Sequence, residues 1–138
     1  MIILDTNVLS ALMQATPDVR VVAWLDRQAP ESIWTTSITL FESRLGLALL
    51  PEGRRRQALE ASFEQLLNED LQNRVLVFDT AAALEAAALA ATRRRAGRPI
   101  DLRDTQIAGI AVARRASIAT RNLRHCQDLA VPVINPWG

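Results

Sequence analysis

Short apolar runs alternate with segments of helical periodicity along the whole chain. Runs rich in branched residues predict buried strands at Met1–Leu4, Ile33–Thr36, Val75–Phe78, Ser117–Thr120 and Val131–Ile134. Apolar residues at helical spacing predict helices over Val8–Met13, Pro17–Leu25, Ser37–Leu50, Arg54–Asn73, 81–96 and Asp101–Arg115. Because strands alternate with helices, right-handed crossovers are expected. The pattern therefore predicts an α/β fold: a mostly parallel central sheet flanked by helices, in one domain over residues 1–138.

The alanine-rich helix predicted over 81–96 has clear signals at both ends. Asp79 or Thr80 is expected to cap its start. The basic run Arg93–Arg95 suits its C-terminus, where the helix dipole favours cations. Gly97 is expected to end the helix, and Pro99 to reinforce that end.

Composition excludes several kinds of chemistry. The chain has 138 residues, of which 49% are hydrophobic and 22% charged, as is typical of a globular domain. One cysteine and one histidine cannot build a zinc or iron–sulfur site within this chain alone. All 16 basic residues are arginine, which excludes a lysine-containing phosphate loop and a Schiff-base lysine. No apolar run is long enough to span a membrane and no leader peptide is recognisable, so we expect a soluble, cytoplasmic protein without membrane contact.

The charge is distributed unevenly along the chain. Residues 1–89 hold 7 Arg and 12 Asp or Glu, whereas residues 90–138 hold 9 Arg and 3 Asp. A basic C-terminal third indicates contact with a polyanion, although arginines on exposed helix faces would give the same counts.

Four residues near the expected edge of the sheet are candidates for chemistry. Ligands of open parallel sheets bind beyond the carboxyl ends of the strands. Asp5 follows the first strand and Asn122 the fourth, while Glu42 and Asp104 lie near helix starts that point to the same edge. Glu42 interrupts an apolar run, so its charge needs compensation, which a divalent cation would provide. Oxygen ligands of this kind favour Mg²⁺ or Mn²⁺ over zinc.

Two of these carboxylates also have a purely structural interpretation. Asp5 could cap the first helix without any catalytic role. Asp101 followed by Asp104 resembles the start of a capped helix, in which both acids satisfy backbone N–H groups and the helix dipole. For Asp101 we favour the cap.

Several ordered blocks of the sequence resemble the PIN-domain ribonucleases, in particular toxins of the VapC and FitB type. The blocks are Ile2–Ser10, Ser37–Gly46, Asp104–Ala111, Ala119–Asn122 and Ile134–Trp137. The resemblance covers essentially the whole chain. It implies a Mg²⁺- or Mn²⁺-dependent endoribonuclease that acts as the toxin of a toxin–antitoxin pair. It also implies an RNA substrate, a cognate antitoxin as partner and a homodimer.

The resemblance further implies roles for individual residues. Asp5, Glu42 and Asp104 match the family's acidic triad and would hold the metal ion. Asn122 takes the fourth catalytic position, where an amide orients groups without adding negative charge, and Thr6 supplies the hydroxyl beside the first acid.

The basic residues near these blocks are candidates for binding the RNA backbone, since the arginine fork suits phosphate. These candidates are Arg98, Arg121, Arg124, Arg103 and the run Arg93–Arg95. His125 is interpreted as a loop histidine without an acidic partner, and Cys126 as a small packing residue. The three tryptophans are expected in the core or in dimer contacts; they are Trp24, Trp34 and Trp137.

Rival functions are weaker, with one exception. Aspartate-phosphorylating folds need a lysine that this chain lacks, and its five glycines form no dinucleotide-binding turn. The remaining alternative is a catalytically silent PIN-like module that binds RNA or a partner.

Overall fold

A parallel sheet of five short strands forms the centre of the structure. The computed structural model describes residues 1–98 and 100–138. In chain order the strands are β1 (Ile2–Leu4), β2 (Ile33–Thr36), β3 (Val75–Leu76), β4 (Ser117–Ala119) and β5 (Val133–Ile134). They lie in the order β3-β2-β1-β4-β5, and every pair of neighbours is parallel. The chain therefore runs outward from β1 first to one side and then to the other, and the order reverses between β1 and β4.

Six α-helices flank the sheet. They are α1 (Thr6–Met13), α2 (Val19–Asp26), α3 (Ser37–Leu49), α4 (Arg54–Gln65), α5 (Thr80–Arg95) and α6 (Leu102–Arg114). The predicted α/β class and parallel sheet are confirmed. Asp79 caps α5 by accepting from the N–H of Ala82, as expected. No described helix is long and apolar enough to cross a membrane.

Several predicted boundaries differ from the structure by one or two residues, and three differences have a clear structural form. β3 ends at Leu76 and β5 begins only at Val133, so both outer strands are shorter than their apolar runs. The helix predicted to reach Asn73 ends at Gln65 and continues as a π-helical segment over Leu66–Asp70. That wider turn buries the leucines at 66, 67 and 71, and positive φ angles at Gln72 and Asn73 then end it. Pro99, expected to reinforce the end of α5, lies outside the described residues.

Successive strand residues belong to cores on the two faces of the sheet. Leu4 and Ala119 join the core that also contains Trp24, Phe63 and Trp137. Ile3 and Ile118 join the second core, which includes apolar residues of α5 and α6. Because both faces are covered, the strands read as continuous apolar runs. Trp24 and Trp137 are buried, in agreement with the prediction of a core position.

Helices α5 and α6 pack together closely at Gly109. A Cβ atom added to this glycine would lie 2.7 Å from the carbonyl oxygen of Ala82 and 2.7 Å from the Cβ of Ala86. The alanine-rich face of α5 therefore meets a residue without a side chain on α6. Since backbone atoms of α5 form part of this contact, they cannot move aside cheaply.

We expect Gly109→Ala to destabilise the protein by about 1–3 kcal/mol, because an extra methyl group would overpack this contact. Equilibrium unfolding in urea measures the change. Gly46→Ala is the matched control, since Gly46 is exposed within α3 and a Cβ there would contact nothing within 4 Å. The control should gain roughly 0.5–1 kcal/mol from helix propensity alone. Equal stabilities of the two variants would contradict the close packing.

Candidate active site

The candidate site lies at the carboxyl edge of the sheet, where β1 and β4 end side by side. The strand order reverses at this point, which in open parallel sheets creates a crevice for ligands. The N–H of Asp5 donates to the carbonyl of Ala119 at 2.9 Å, so the two strand ends are hydrogen-bonded at the crevice itself.

Asp5 uses its two carboxylate oxygens differently. Oδ1 accepts from the N–H of Thr6 at 2.8 Å, and Asp5 is the N-cap of α1. Oδ2 accepts from the hydroxyl of Thr120 at 2.8 Å. The residue is only 8% exposed. The cap interpretation is thus correct for one oxygen, while the other faces the adjoining strand end.

Thr120 organises this part of the crevice, and the sequence analysis did not single it out. Its buried hydroxyl donates to Asp5 and accepts from the side-chain amide of Asn7 and from the N–H of Asn122. The side-chain oxygen of Asn7 in turn accepts from the N–H of Arg121. These contacts fix the chain after β4 against the start of α1. The sequence did contain a signal for this role of Thr120. A threonine ends an apolar strand there, and its hydroxyl needs hydrogen-bond partners when it is buried.

Glu42 reaches the same region from α3. Thr36 caps this helix by accepting from the N–H of Thr39, which fixes its start directly after β2. The hydroxyl of Thr6 donates to Glu42 Oε1 at 3.1 Å. Arg103 Nη1 lies 3.8 Å from Glu42 Oε2. Residues from three helices therefore meet at Glu42.

Asp104 lies in the first turn of α6 and contacts the only histidine of the chain. Nδ1 of His125 is 3.1 Å from Asp104 Oδ2. The expectation that His125 has no acidic partner is therefore wrong. His125 lies in a short 3₁₀ helix, Leu123–Cys126, within the loop between β4 and β5. Asp104 is 21 residues away in sequence, and only the packing of α6 against this loop brings the two together.

Burial and the charges of neighbouring carboxylates act on Glu42 and Asp104. Burial is the main cause that raises the pKa of Glu42 above its usual value, and the charges of Asp104 and Asp5 add to it. The hydrogen bond from Thr6 and the charge of Arg103 oppose this shift. Burial followed by the charge of Asp5 likewise raises the pKa of Asp104, against the effect of His125. The crevice therefore concentrates negative charge on carboxylates that are partly removed from water.

Two further observations describe the surroundings of the carboxylates. Within residues 1–98 and 100–138, no three Asp, Glu, His or Cys side chains converge closely enough to form a ready-made cage for a metal ion.

Burial, with a contribution from Asp5, raises the pKa of the Cys126 thiol to about 11. This half-buried cysteine therefore stays protonated at neutral pH.

Most of the other predicted site residues lie on the surface. Asn122 is exposed near the start of the segment between β4 and β5, and its N–H donates to the hydroxyl of Thr120. The guanidinium of Arg121 lies 4.8 Å from the ring centroid of Trp137, and that of Arg103 lies 5.4 Å from the ring of Phe41. Arg98 and Arg124 are exposed. Asp101 caps α6 by accepting from the N–H of Arg103, as predicted.

One of the arginines proposed to contact RNA is buried. Arg93 is 3% exposed and binds Asp128 through two of its nitrogens. The expectation that the whole run Arg93–Arg95 faces a polyanion is therefore wrong for Arg93. Its position on the face of α5 that contains Ala82 and Ala86 explains the burial. Arg94 and Arg95 are exposed.

The fold and site together define an α/β protein with an acidic crevice at the carboxyl edge of a parallel sheet. The PIN domain profile matches residues 2–128. A VapC ribonuclease from Sinorhizobium fredii is 40% identical over 99% of this chain and 98% of its own length. The toxin FitB from Neisseria gonorrhoeae is 36% identical over 99% of both chains. The chain belongs to the PIN domain family and is similar to these two relatives over nearly its whole length.

A solved structure supports the same assignment. The structure of FitAB bound to a DNA fragment contains a chain that matches all of this protein and 96% of its own length, with a TM-score of 0.89 and 36% identity. The resemblance inferred from the sequence blocks is confirmed by these findings.

We expect Thr120→Val to destabilise the protein by about 1–3 kcal/mol, because it removes a buried hydroxyl that serves three polar partners. Thr35→Val is the matched control. Thr35 is equally buried in β2, but its hydroxyl has no hydrogen-bond partner among the described residues. Valine there should be neutral or stabilising in urea unfolding. A loss of stability that is the same in both variants would contradict the role of Thr120.

Proposed function

We propose that this protein is a Mg²⁺- or Mn²⁺-dependent endoribonuclease that hydrolyses RNA phosphodiester bonds as the toxin of a toxin–antitoxin pair. The carrying observation is that Asp5, Glu42 and Asp104 lie within electrostatic reach of one another in a partly buried crevice. Burial first, and neighbouring carboxylate charges second, raise the pKa of Glu42 and of Asp104 there. Membership of a family with relatives named ribonuclease and toxin supports this reading.

The donor set fits a hard divalent cation. Asp5 is buried, and Glu42 and Asp104 are partly buried. Arg103 and His125 offset their negative charge only in part, and a cation would supply the remaining compensation. Mg²⁺ usually keeps several water molecules and binds through one or two carboxylates. A crevice in which no three side chains converge is therefore compatible with it. We propose that Asp5, Glu42 and Asp104 would hold the ion together, one or two of them directly and the rest through its bound water molecules.

When bound, the ion would supply a Lewis acid that lowers the pKa of the attacking water and offsets charge on the phosphodiester. The chain's own residues provide the positions. Thr120 and the N–H of Thr6 hold the Asp5 carboxylate in one orientation. The Thr6 hydroxyl does the same for Glu42 and stabilises its ionised form. The start of α6 favours the ionised form of Asp104, against the effect of burial.

Surface residues around the crevice would bind the substrate. We propose that Asn122 orients substrate or water without adding charge, as the fourth catalytic residue. Arg98, Arg121 and Arg124 are exposed and would bind phosphates of the RNA backbone. The ring of Trp137 holds the guanidinium of Arg121 in place, which lowers the entropy lost on binding.

A cognate antitoxin and a second copy of this chain are proposed as partners. The support is the toxin FitB and the solved FitAB assembly, together with the sequence resemblance. A nuclease of this kind would act in the cytoplasm, where its RNA substrate is found.

We expect the purified protein, freed of any antitoxin, to cut RNA in Mg²⁺ or Mn²⁺ and to stop when EDTA is added. Asp5→Asn, Glu42→Gln and Asp104→Asn should each lower the cleavage rate by at least about 100-fold, since each removes a charge needed to hold the ion. Electrophoresis of a labelled RNA measures the rate.

Glu85→Gln is the control, because Glu85 is an exposed carboxylate on α5. It should cut at the parental rate. If the three site variants also cut at that rate, the assigned site is wrong. If the parent binds RNA but does not cut it in either metal, the silent binding module replaces the nuclease.

We also expect a small protein encoded next to this one to co-purify with the chain and to suppress cleavage. Co-expression followed by size-exclusion chromatography and the same RNA assay measures both effects. Co-purification without inhibition would contradict the antitoxin role of that partner. The elution volume of the chain alone tests the homodimer.

A further inference from the structure

We propose that Arg93 is a positioning residue for the candidate site, and that it fixes the loop containing His125 against the start of α6. The inference rests on the proposed nuclease function for its consequence, but its geometric basis is independent. Arg93 lies at the end of α5 and is not part of the acidic crevice.

The guanidinium of Arg93 makes contacts in several directions. Nε and Nη2 donate to the two carboxylate oxygens of Asp128, each at 2.8 Å. Nη2 also donates to the backbone carbonyl of His125 at 2.7 Å. Nη1 donates to the hydroxyl of Thr105 at 2.9 Å. One buried side chain therefore joins α5, α6 and the segment between β4 and β5.

Two of these contacts flank the pair formed by His125 and Asp104. Thr105 is the residue after Asp104 on α6, and its hydroxyl also donates to the carbonyl of Asp101. The carbonyl of His125 belongs to the same residue whose ring lies 3.1 Å from Asp104. Arg93 thus binds the backbone of one partner and the neighbour of the other. The separation of Asp104 from His125 depends on this side chain.

A buried arginine suits this role because its fork is planar and rigid. The charge is balanced by Asp128, and hydrogen bonds with neutral groups use the other directions of the fork. A shorter or uncharged side chain would leave Asp128, the His125 carbonyl and the Thr105 hydroxyl with fewer donors. The part of the loop around His125 would then move relative to α6.

A matched control pair exists at the opposite end of the same two helices. Arg114, at the end of α6, contacts the cap residue Asp79 of α5 at 2.6 Å. This pair also ties α5 to α6, but Asp79 and Arg114 lie at the ends remote from the starts of α6 and of the His125 loop. Its loss should weaken the helix pair without moving the site.

The test compares Arg93→Gln with Arg114→Gln. Because the chain has one histidine, the ring resonances of His125 are assigned without ambiguity in tag-free protein. In metal-free protein, Arg93→Gln should weaken the nuclear Overhauser contact between the His125 ring and the Asp104 side chain. Mn²⁺ affinity by calorimetry should fall by about 10- to 100-fold. Cleavage should lose kcat with little change in KM for RNA.

Arg93→Lys should restore part of the Mn²⁺ affinity, since it keeps the charge opposite Asp128 but not the fork. Arg114→Gln should lower the melting temperature while leaving the His125 contact and the Mn²⁺ affinity at parental values. If Arg93→Gln does not fold, Asp128→Asn serves as the milder variant, with the same direction of change expected.

The proposal is overturned if Arg93→Gln, or the milder Asp128→Asn, keeps both the parental ring contact and the parental Mn²⁺ affinity. It is also overturned if Arg114→Gln changes them equally. Failure of the proposed function is a separate result. If the parental protein neither binds Mn²⁺ nor cuts RNA, the nuclear Overhauser contact between His125 and Asp104 can still be compared between the parent and the variants.

Discussion

The hydrogen bond from Thr120 to Asp5 is the interaction on which the candidate site depends. It joins the ends of β1 and β4 at the one place where the strand order reverses. Both residues are buried, so the carboxylate has exchanged water for a hydroxyl and a backbone N–H. Because β1 and β4 are already paired in register, the same pairing that builds the core also positions Asp5. Fold and site therefore share their central contact.

The arginine-rich C-terminal third has more than one physical role. Arg93 is buried and joins three segments, while Arg114 pairs with the cap of α5. Arg103 lies between Glu42 and the ring of Phe41, and Arg121 lies over Trp137. The count of charges indicated a polyanion-binding face, yet part of that charge is used within the fold. Among the arginines proposed to bind RNA phosphates, Arg98, Arg121 and Arg124 are exposed, and the ring contact of Arg121 leaves it on the surface.

The sequence was sufficient to predict the sheet, the helices and the region of the acidic residues. Hydrophobic periodicity and the residues that end a strand are both recognised from positions close together in the chain. It could not reveal contacts that only packing creates. The pair of Asp104 and His125 spans 21 residues, and that of Arg93 and Asp128 spans 35. The burial of Arg93 did leave a signal, since it lies seven residues after Ala86 on one helical face. The predicted lengths of the two outer strands were too great, because their apolar runs extend beyond the residues that are hydrogen-bonded in the sheet.

The three acids differ in what opposes the cost of burying them. Asp5 caps α1 and accepts from the N–H of Thr6, and Asp104 lies in the first turn of α6, where the helix dipole favours a negative charge. Glu42 lies inside α3 and lacks that support, and it has instead the Thr6 hydroxyl and Arg103 at 3.8 Å. The pKa of Glu42 and that of Asp104 remain raised in spite of these contacts. The protein therefore carries an electrostatic cost at this crevice that its own side chains do not remove, and a bound cation would remove it.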